Sequence, residues 1–169
     1  MTVEECQDFL PLWHGKGLKL APKVEAVTDW LLSQYQPRNR ESLPPDIAKV
    51  MKDFGGPIKE CFHTTQTLVA SLDRAQYVEG FVFNCAIIPI EHAWIEVDGY
   101  VVELTLRSDP ERKGEAVITP DPEWIYIGIP MGTSFVLHTM LERKFTGPLK
   151  YVLAAKALGY PEGEYHACF

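Results

Sequence analysis

The Asp98-Gly99 dipeptide lies between two alternating runs of β-prone residues, and that arrangement is the strongest short-range signal for a two-residue hairpin turn. A loop this short fixes the register. With residues 98 and 99 as the loop, Val97 faces Tyr100, Ile95 faces Val102, Trp94 faces Glu103 and His92 faces Thr105. Side chains alternate between faces along a strand, so Ala93, Ile95, Val97, Tyr100, Val102 and Leu104 share one face, apolar apart from a tyrosine hydroxyl. That face is expected in a core. The other face carries His92, Trp94, Glu96, Val101, Glu103 and Thr105. His92 and Glu103 are diagonal neighbours on it, about 7 Å apart at the backbone, which lets a glutamate reach an imidazole nitrogen. Two readings remain open at this point: a solvated sheet surface with an incidental pair, or a base and the carboxylate that orients it.

The rest of the chain supplies the frame for the hairpin. Residues 77–84, 90–97, 100–106 and 124–129 are rich in aromatic and branched side chains and read as strands, with a charged loop at 107–122. Before them, Pro22 opens a helix with Val24, Val27, Leu31 and Tyr35 near helical spacing, ending near Gln36-Pro37. A polar linker, 37–43, leads to Pro44-Pro45. Ile47, Val50, Met51 and Phe54 then follow at amphipathic spacing before Gly55-Gly56. Cys61, Thr65, Leu68 and Leu72 predict a helix over about 58–73. After the strands, Thr133 or Ser134 can cap a helix running to about Phe145, and a last helix over 149–158 ends at Gly159. Helices, then adjacent strands, then helices describe an α+β fold with a mainly antiparallel sheet flanked by helices. A length of 169 residues predicts one domain, divided into a helical N-terminal part (1–56), a central core (57–131) and C-terminal helices (132–169).

Charge and cysteine content narrow the function. The net charge is −7, and residues 61–130 hold four basic and eleven acidic side chains. Nucleic-acid binders neutralise phosphates with clustered Lys and Arg, and this chain has no such cluster. No apolar run approaches the ~18 residues of a membrane span, and the start, MTVEECQDFLPLW, lacks a signal-peptide pattern. A cytoplasmic protein without membrane or nucleic-acid partners is therefore expected. Cys6, Cys61, Cys85 and Cys168 form no CxxC pair, and in a reducing compartment they are expected as thiols. Cys6 and Cys85 read as packing. His166 with Cys168 supplies two soft ligands, too few for a zinc site. His63, two residues after Cys61, reads as a surface contact, and His14 and His138 as structural.

Cys61 stands near the start of its predicted helix, where free amides and the helix dipole stabilise a thiolate. A cysteine on an apolar helix face can equally be inert core. The residues that distinguish the two are the cysteine of KECFHTTQTLVASL, the following YVEGFVF, the HAW of IEHAWIEVDG, the acidic position of YVVELTL and the later YIGIPM. In this order, with His92 31 residues after Cys61 and Glu103 a further 11 on, the stretch from about 57 to 131 resembles the transglutaminase-like superfamily of papain-like cysteine enzymes. The resemblance implies a papain-like core, Cys61 as nucleophile, His92 as its base and Glu103, where the family most often has aspartate, as the residue that orients the histidine. It implies a cysteine hydrolase or acyltransferase acting on an amide or peptide bond of a protein, peptide or small amide, with no cofactor and no metal. Trp94 is expected to wall the site and Tyr126 to line the substrate cleft, although sheet aromatics also serve as packing. The backbone amide of Cys61 is the one oxyanion donor the sequence offers. The competing reading is a non-catalytic binding module that keeps the fold, since one fold hosts many functions.

Overall fold

Asp98 and Gly99 have φ of 52° and 85°, the two positive angles that a type I′ hairpin turn demands. In the computed structural model, the strands they join are β3 (Ile90–Val97) and β4 (Tyr100–Val102). Their register is the expected one: Val97 opposite Tyr100, Glu96 opposite Val101 and Ile95 opposite Val102. Arg74 adds an ion pair to the turn by donating from Nε to Asp98 at 2.9 Å. The ladder then stops short of the expected 100–106, and the 94–103 and 92–105 pairs do not form. Just beyond the last pair, the Glu103 carboxylate accepts the N–H groups of Thr105 and Leu106, each at 2.8 Å.

The structure describes residues 1–15, 21–38, 41, 43–51, 60–84, 89–106, 123–144 and 146–161, apart from the side chains of residues 48, 50 and 51. Gly55-Gly56, Cys85, the charged loop 107–122, Phe145, His166 and Cys168 lie outside the described residues. Besides the hairpin, the described elements are α1 (Val3–Trp13), α2 (Pro22–Gln34), β1 (Gln36–Pro37), α3 (Pro45–Met51), α4 (Cys61–Val69), β2 (Ala75–Phe83), β5 (Ile125–Met131), α5 (Thr133–Arg143) and α6 (Lys150–Ala157). The fold is α+β. Its antiparallel sheet has the order β1-β5-β2-β3-β4.

Several local expectations are corrected. The α1 helix is held by a capping box in which Thr2 and Glu5 satisfy each other's backbone N–H. The expected linker at 37–43 begins with β1, which pairs with the middle of β5. The α4 helix starts at Cys61 itself, not at 58, and ends at Val69. The N-cap of α5 is Gly132, whose carbonyl accepts from Val136 at 3.1 Å, so Thr133 is already helical and neither Thr133 nor Ser134 is the cap. Gly159 follows α6 with φ of 73°, as expected of a helix stop.

Both faces of the sheet are covered. On one, Tyr77, Ala93, Ile95, Val102 and Met131 pack with Ile47 of α3, Leu68 and Val69 of α4 and Val136 of α5. The same face continues through Phe81, Phe83, Ile125, Ile127 and Ile129 against Cys6 and Leu10 of α1 and Val27 and Leu31 of α2. On the opposite face, Val78, Val82, Trp94, Val101 and Tyr126 form a smaller cluster with Leu106 and Trp124 at its margin. Burying side chains of this size contributes ~1.5–3 kcal/mol each. His92, Trp94, Glu96, Val101, Glu103 and Thr105 are each no more than 2% exposed, so the second face of the hairpin is not a solvated surface.

A buried cysteine, histidine and glutamate

Cys61 is the first residue of α4 and 8% exposed. Its backbone N–H is among the first-turn amides that have no partner within a helix, at the positive end of the helix dipole. Thr65 donates its hydroxyl back to the Cys61 carbonyl at 2.5 Å, which ties the residue into the first turn. The thiol is in no disulfide.

His92 lies at the outer part of β3, beyond the last residue that β4 pairs. Its Nε2 stands 2.9 and 3.1 Å from the two carboxylate oxygens of Glu103, and its side chain also hydrogen-bonds Cys61. Because Nε2 faces Glu103, Nδ1 is the nitrogen left for the thiol. Burial alone would lower the proton affinity of His92. The Glu103 charge, the hydrogen bond to Cys61 and that to Glu103 outweigh it and raise the imidazole from 6.5 to about 9. These two partners favour the imidazolium form of the ring.

Glu103 completes the arrangement. Burial pushes its carboxyl up, but the His92 charge, the His92 hydrogen bond and the Leu106 and Thr105 amides outweigh burial and hold it below its usual value. The Tyr126 hydroxyl donates to Glu103 Oε2 at 3.1 Å. The structure therefore brings Cys61, His92 and Glu103 together, and it gives Tyr126 a contact with the carboxylate that the sequence reading did not assign.

Trp94 stacks on His92 with ring centroids 6.2 Å apart and planes 21° apart. Tyr126 meets the indole edge-on at 5.2 Å. The space for the indole comes from Gly128, where a Cβ would come within 2.6 Å of the Trp94 ring. Trp94 and Tyr126 are 0% and 1% exposed. Glu96, on the same face, takes a long hydrogen bond from Trp94 Nε1 at 3.4 Å and a two-pronged ion pair from Arg38, at 2.7 Å from Nε and 2.5 Å from the outer nitrogen. Neither Arg38 nor Glu96 was singled out from sequence. Glu96 could have been found by its alternation with His92 and Trp94, whereas Arg38 is 58 residues away from its partner.

A second buried carboxylate, Glu79 of β2, points to the opposite face. It accepts Tyr77 Oη at 2.5 Å, Leu149 N at 2.6 Å and Lys150 N at 2.9 Å, capping α6 from inside the sheet. Gln66 of α4 donates to Tyr77 Oη at 2.9 Å and to the Gly147 carbonyl at 2.7 Å. Nothing in the local sequence signals this cap, because the donors follow Glu79 by 70 residues or more.

Of the other histidines, the described residues include His14, His63 and His138, each packed or at the surface. His14 packs against Tyr35 and Phe81, and burial lowers it to about 4. His63 is exposed, and exposed His138 pairs with Glu142 at 2.9 Å. Among the described residues no group of three or more His, Cys, Asp or Glu could hold a metal ion, and no helix is long and apolar enough to cross a membrane. The described residues line a cavity of about 220 Å³ beside Asp46, Ile47, Leu72 and Arg74 and another of about 310 Å³ beside Met1, Glu5, Phe9 and Phe83. Neither touches Cys61, His92 or Glu103. In comparison with known proteins, the chain matches no family model, no curated protein and no solved structure.

Proposed function

We propose that the protein is a cysteine-dependent hydrolase or acyltransferase built on a papain-like, transglutaminase-like core, acting on an amide or peptide bond through a thioester. The observation that carries this reading is the double engagement of His92, with Nε2 on Glu103 and the other side of the ring on Cys61. In this reading His92 takes the proton of Cys61, and the thiolate and imidazolium stabilise each other. Glu103 fixes the ring orientation and answers its positive charge. The sulfur attacks the carbonyl carbon, the Cys61 amide receives the developing oxyanion, and His92 returns its proton to the departing amine or ammonia. Water or a second amine then attacks the thioester, which separates hydrolysis from acyl transfer. Both outcomes use the same three side chains, and the substrate is a protein, peptide or small amide.

One observation favours a binding module instead: the Cys61, His92 and Glu103 side chains are all buried. Reactivity separates the two readings. With limiting iodoacetamide and mass-spectrometric readout across pH, Cys61 is expected to alkylate fastest of the four cysteines near neutrality, because it heads a helix and has the His92 ring beside it. Labelling of Cys61 only after unfolding would remove the nucleophile and leave the binding module.

A further inference from the structure

The face that carries the site holds a buried ionic pair that the chemistry above does not use. Glu96 is 2% exposed and the Arg38 side chain 16%. An ion pair withdrawn from water contributes little net stability, and apolar residues of similar volume often do as well or better. The pair's contacts point to another use. The Arg38 backbone N–H donates to the Tyr126 carbonyl at 2.9 Å, which fastens the residue to β5. Its guanidinium grips both oxygens of Glu96, and Glu96 Oε1 accepts from Trp94 Nε1. Trp94 in turn lies nearly parallel to His92 over the gap left by Gly128. A continuous line of contacts therefore runs from the segment after β1 to the imidazole.

We propose that Arg38 and Glu96 are positioning residues: the pair holds the Trp94 indole beside and nearly parallel to His92, and the indole keeps the imidazole turned with Nε2 toward Glu103 and its other nitrogen toward Cys61. This inference rests on the catalytic reading of Cys61 and His92. It assigns the N-terminal part of the chain a role in the site, through a residue far from the triad in sequence. The two-pronged geometry matters, because a lysine at position 38 could neutralise Glu96 but could not fix both oxygens.

The test replaces the pair without leaving a lone buried charge, as Arg38→Met with Glu96→Met, and follows the His92 ring nitrogens by 15N NMR across pH alongside Cys61 alkylation. The expected result in the folded double variant is a His92 midpoint lowered by about half a unit or more, with Cys61 alkylation at pH 7 slowed about threefold or more. A folded double variant with an unmoved midpoint overturns the proposal, since a pair that only stabilises the sheet would change unfolding and leave the midpoint alone. Trp94→Phe keeps an aromatic ring beside His92 and removes the Nε1 donor, so it should shift the midpoint in the same direction even if the double variant fails to fold. An unmoved midpoint in Trp94→Phe also overturns the proposal. Slow labelling of Cys61 in the parent protein would instead defeat the catalytic reading, so the two failures are distinguishable.

Discussion

Glu103 and Glu79 are buried on opposite faces of one sheet, and each accepts two consecutive backbone amides and one tyrosine hydroxyl. Their proton affinities nevertheless move in opposite directions. Burial raises both, but Glu103 ends below its usual value and Glu79 above it. The donor count does not explain the difference. Glu103 has an imidazolium directly on its oxygens at 2.9 Å, whereas the Lys150 ammonium near Glu79 contacts Glu91 and lies over the Phe81 ring at 4.6 Å. A buried carboxylate with a matched cation stays charged and can act on it, while one without serves as a helix cap. Burial and hydrogen bonding are shared by both sites, and the adjacent titratable partner separates them.

The strongest way to break this comparison is to remove the partner. His92→Gln keeps a donor toward Glu103 while deleting the base, and it should lower turnover on any accepted amide on the order of 10²–10⁴-fold and slow Cys61 labelling at pH 7. Glu103→Gln keeps an acceptor for the imidazole N–H and should retain part of that activity. Glu79→Gln should leave labelling within about twofold of the parent, as expected for a carboxylate outside the chemistry. Circular dichroism checks that each variant is folded. Full labelling in folded His92→Gln would end the catalytic reading, and a Glu79→Gln loss as large as that of Glu103→Gln would end the distinction between the two carboxylates.

How far the sequence foretold these two sites differs for a physical reason. The His92–Glu103 contact was legible because a two-residue turn assigns faces, although the paired ladder ends at Val102 and the contact is made beyond it. The helix of Cys61 was legible from its apolar spacing, though its start was placed three residues early. What escaped was non-local. The β4 ladder ends at Val102, and Glu103 beyond it accepts two backbone amides, neither of which alternation encodes. Arg38, the α6 cap of Glu79 and the Tyr126 hydroxyl on Glu103 depend on residues brought together by tertiary packing.

A second way to sharpen the comparison uses stability against pH. His92 is raised to about 9 when folded, so the native state binds the extra proton between about 6.5 and 9. Its contribution is full below that window and is lost as pH rises through it, on the order of 1–3 kcal/mol. Glu103 reports the same ion pair from the other side: its contribution is present above the unfolded value and is lost as pH falls through the lowered folded value, so the two are not added. Glu79 has the opposite sign to Glu103. Its raised affinity makes the native state most favoured at low pH and less so as pH rises through the folded value. Urea unfolding at steps from pH 4 to 9 should show the alkaline loss disappear in His92→Gln, and the acidic slope change in opposite senses in Glu103→Gln and Glu79→Gln. Parallel slopes in the last two would mean that the imidazolium does not distinguish the carboxylates.

The smallest expected effect is the most selective, because it removes one hydroxyl from each site and leaves the rings in place. Tyr126→Phe deletes the donor to Glu103 Oε2 but keeps the edge-on contact with Trp94. Tyr77→Phe deletes the donor to Glu79 and leaves Gln66 its bond to the Gly147 carbonyl. Each loses a hydrogen bond to a buried carboxylate, so each should cost about 1–2 kcal/mol in urea unfolding. Their effects on His92 should differ. With one donor fewer, Glu103 concentrates more negative charge on the oxygens that face the imidazole, and the His92 midpoint should rise by a few tenths of a unit. Tyr77→Phe changes a carboxylate on the far side of the sheet and should leave that midpoint unmoved. A shift of equal size in both variants would mean that the two buried networks respond as one, through the strands between them, and the contrast between a charged partner and a helix cap would no longer account for either site.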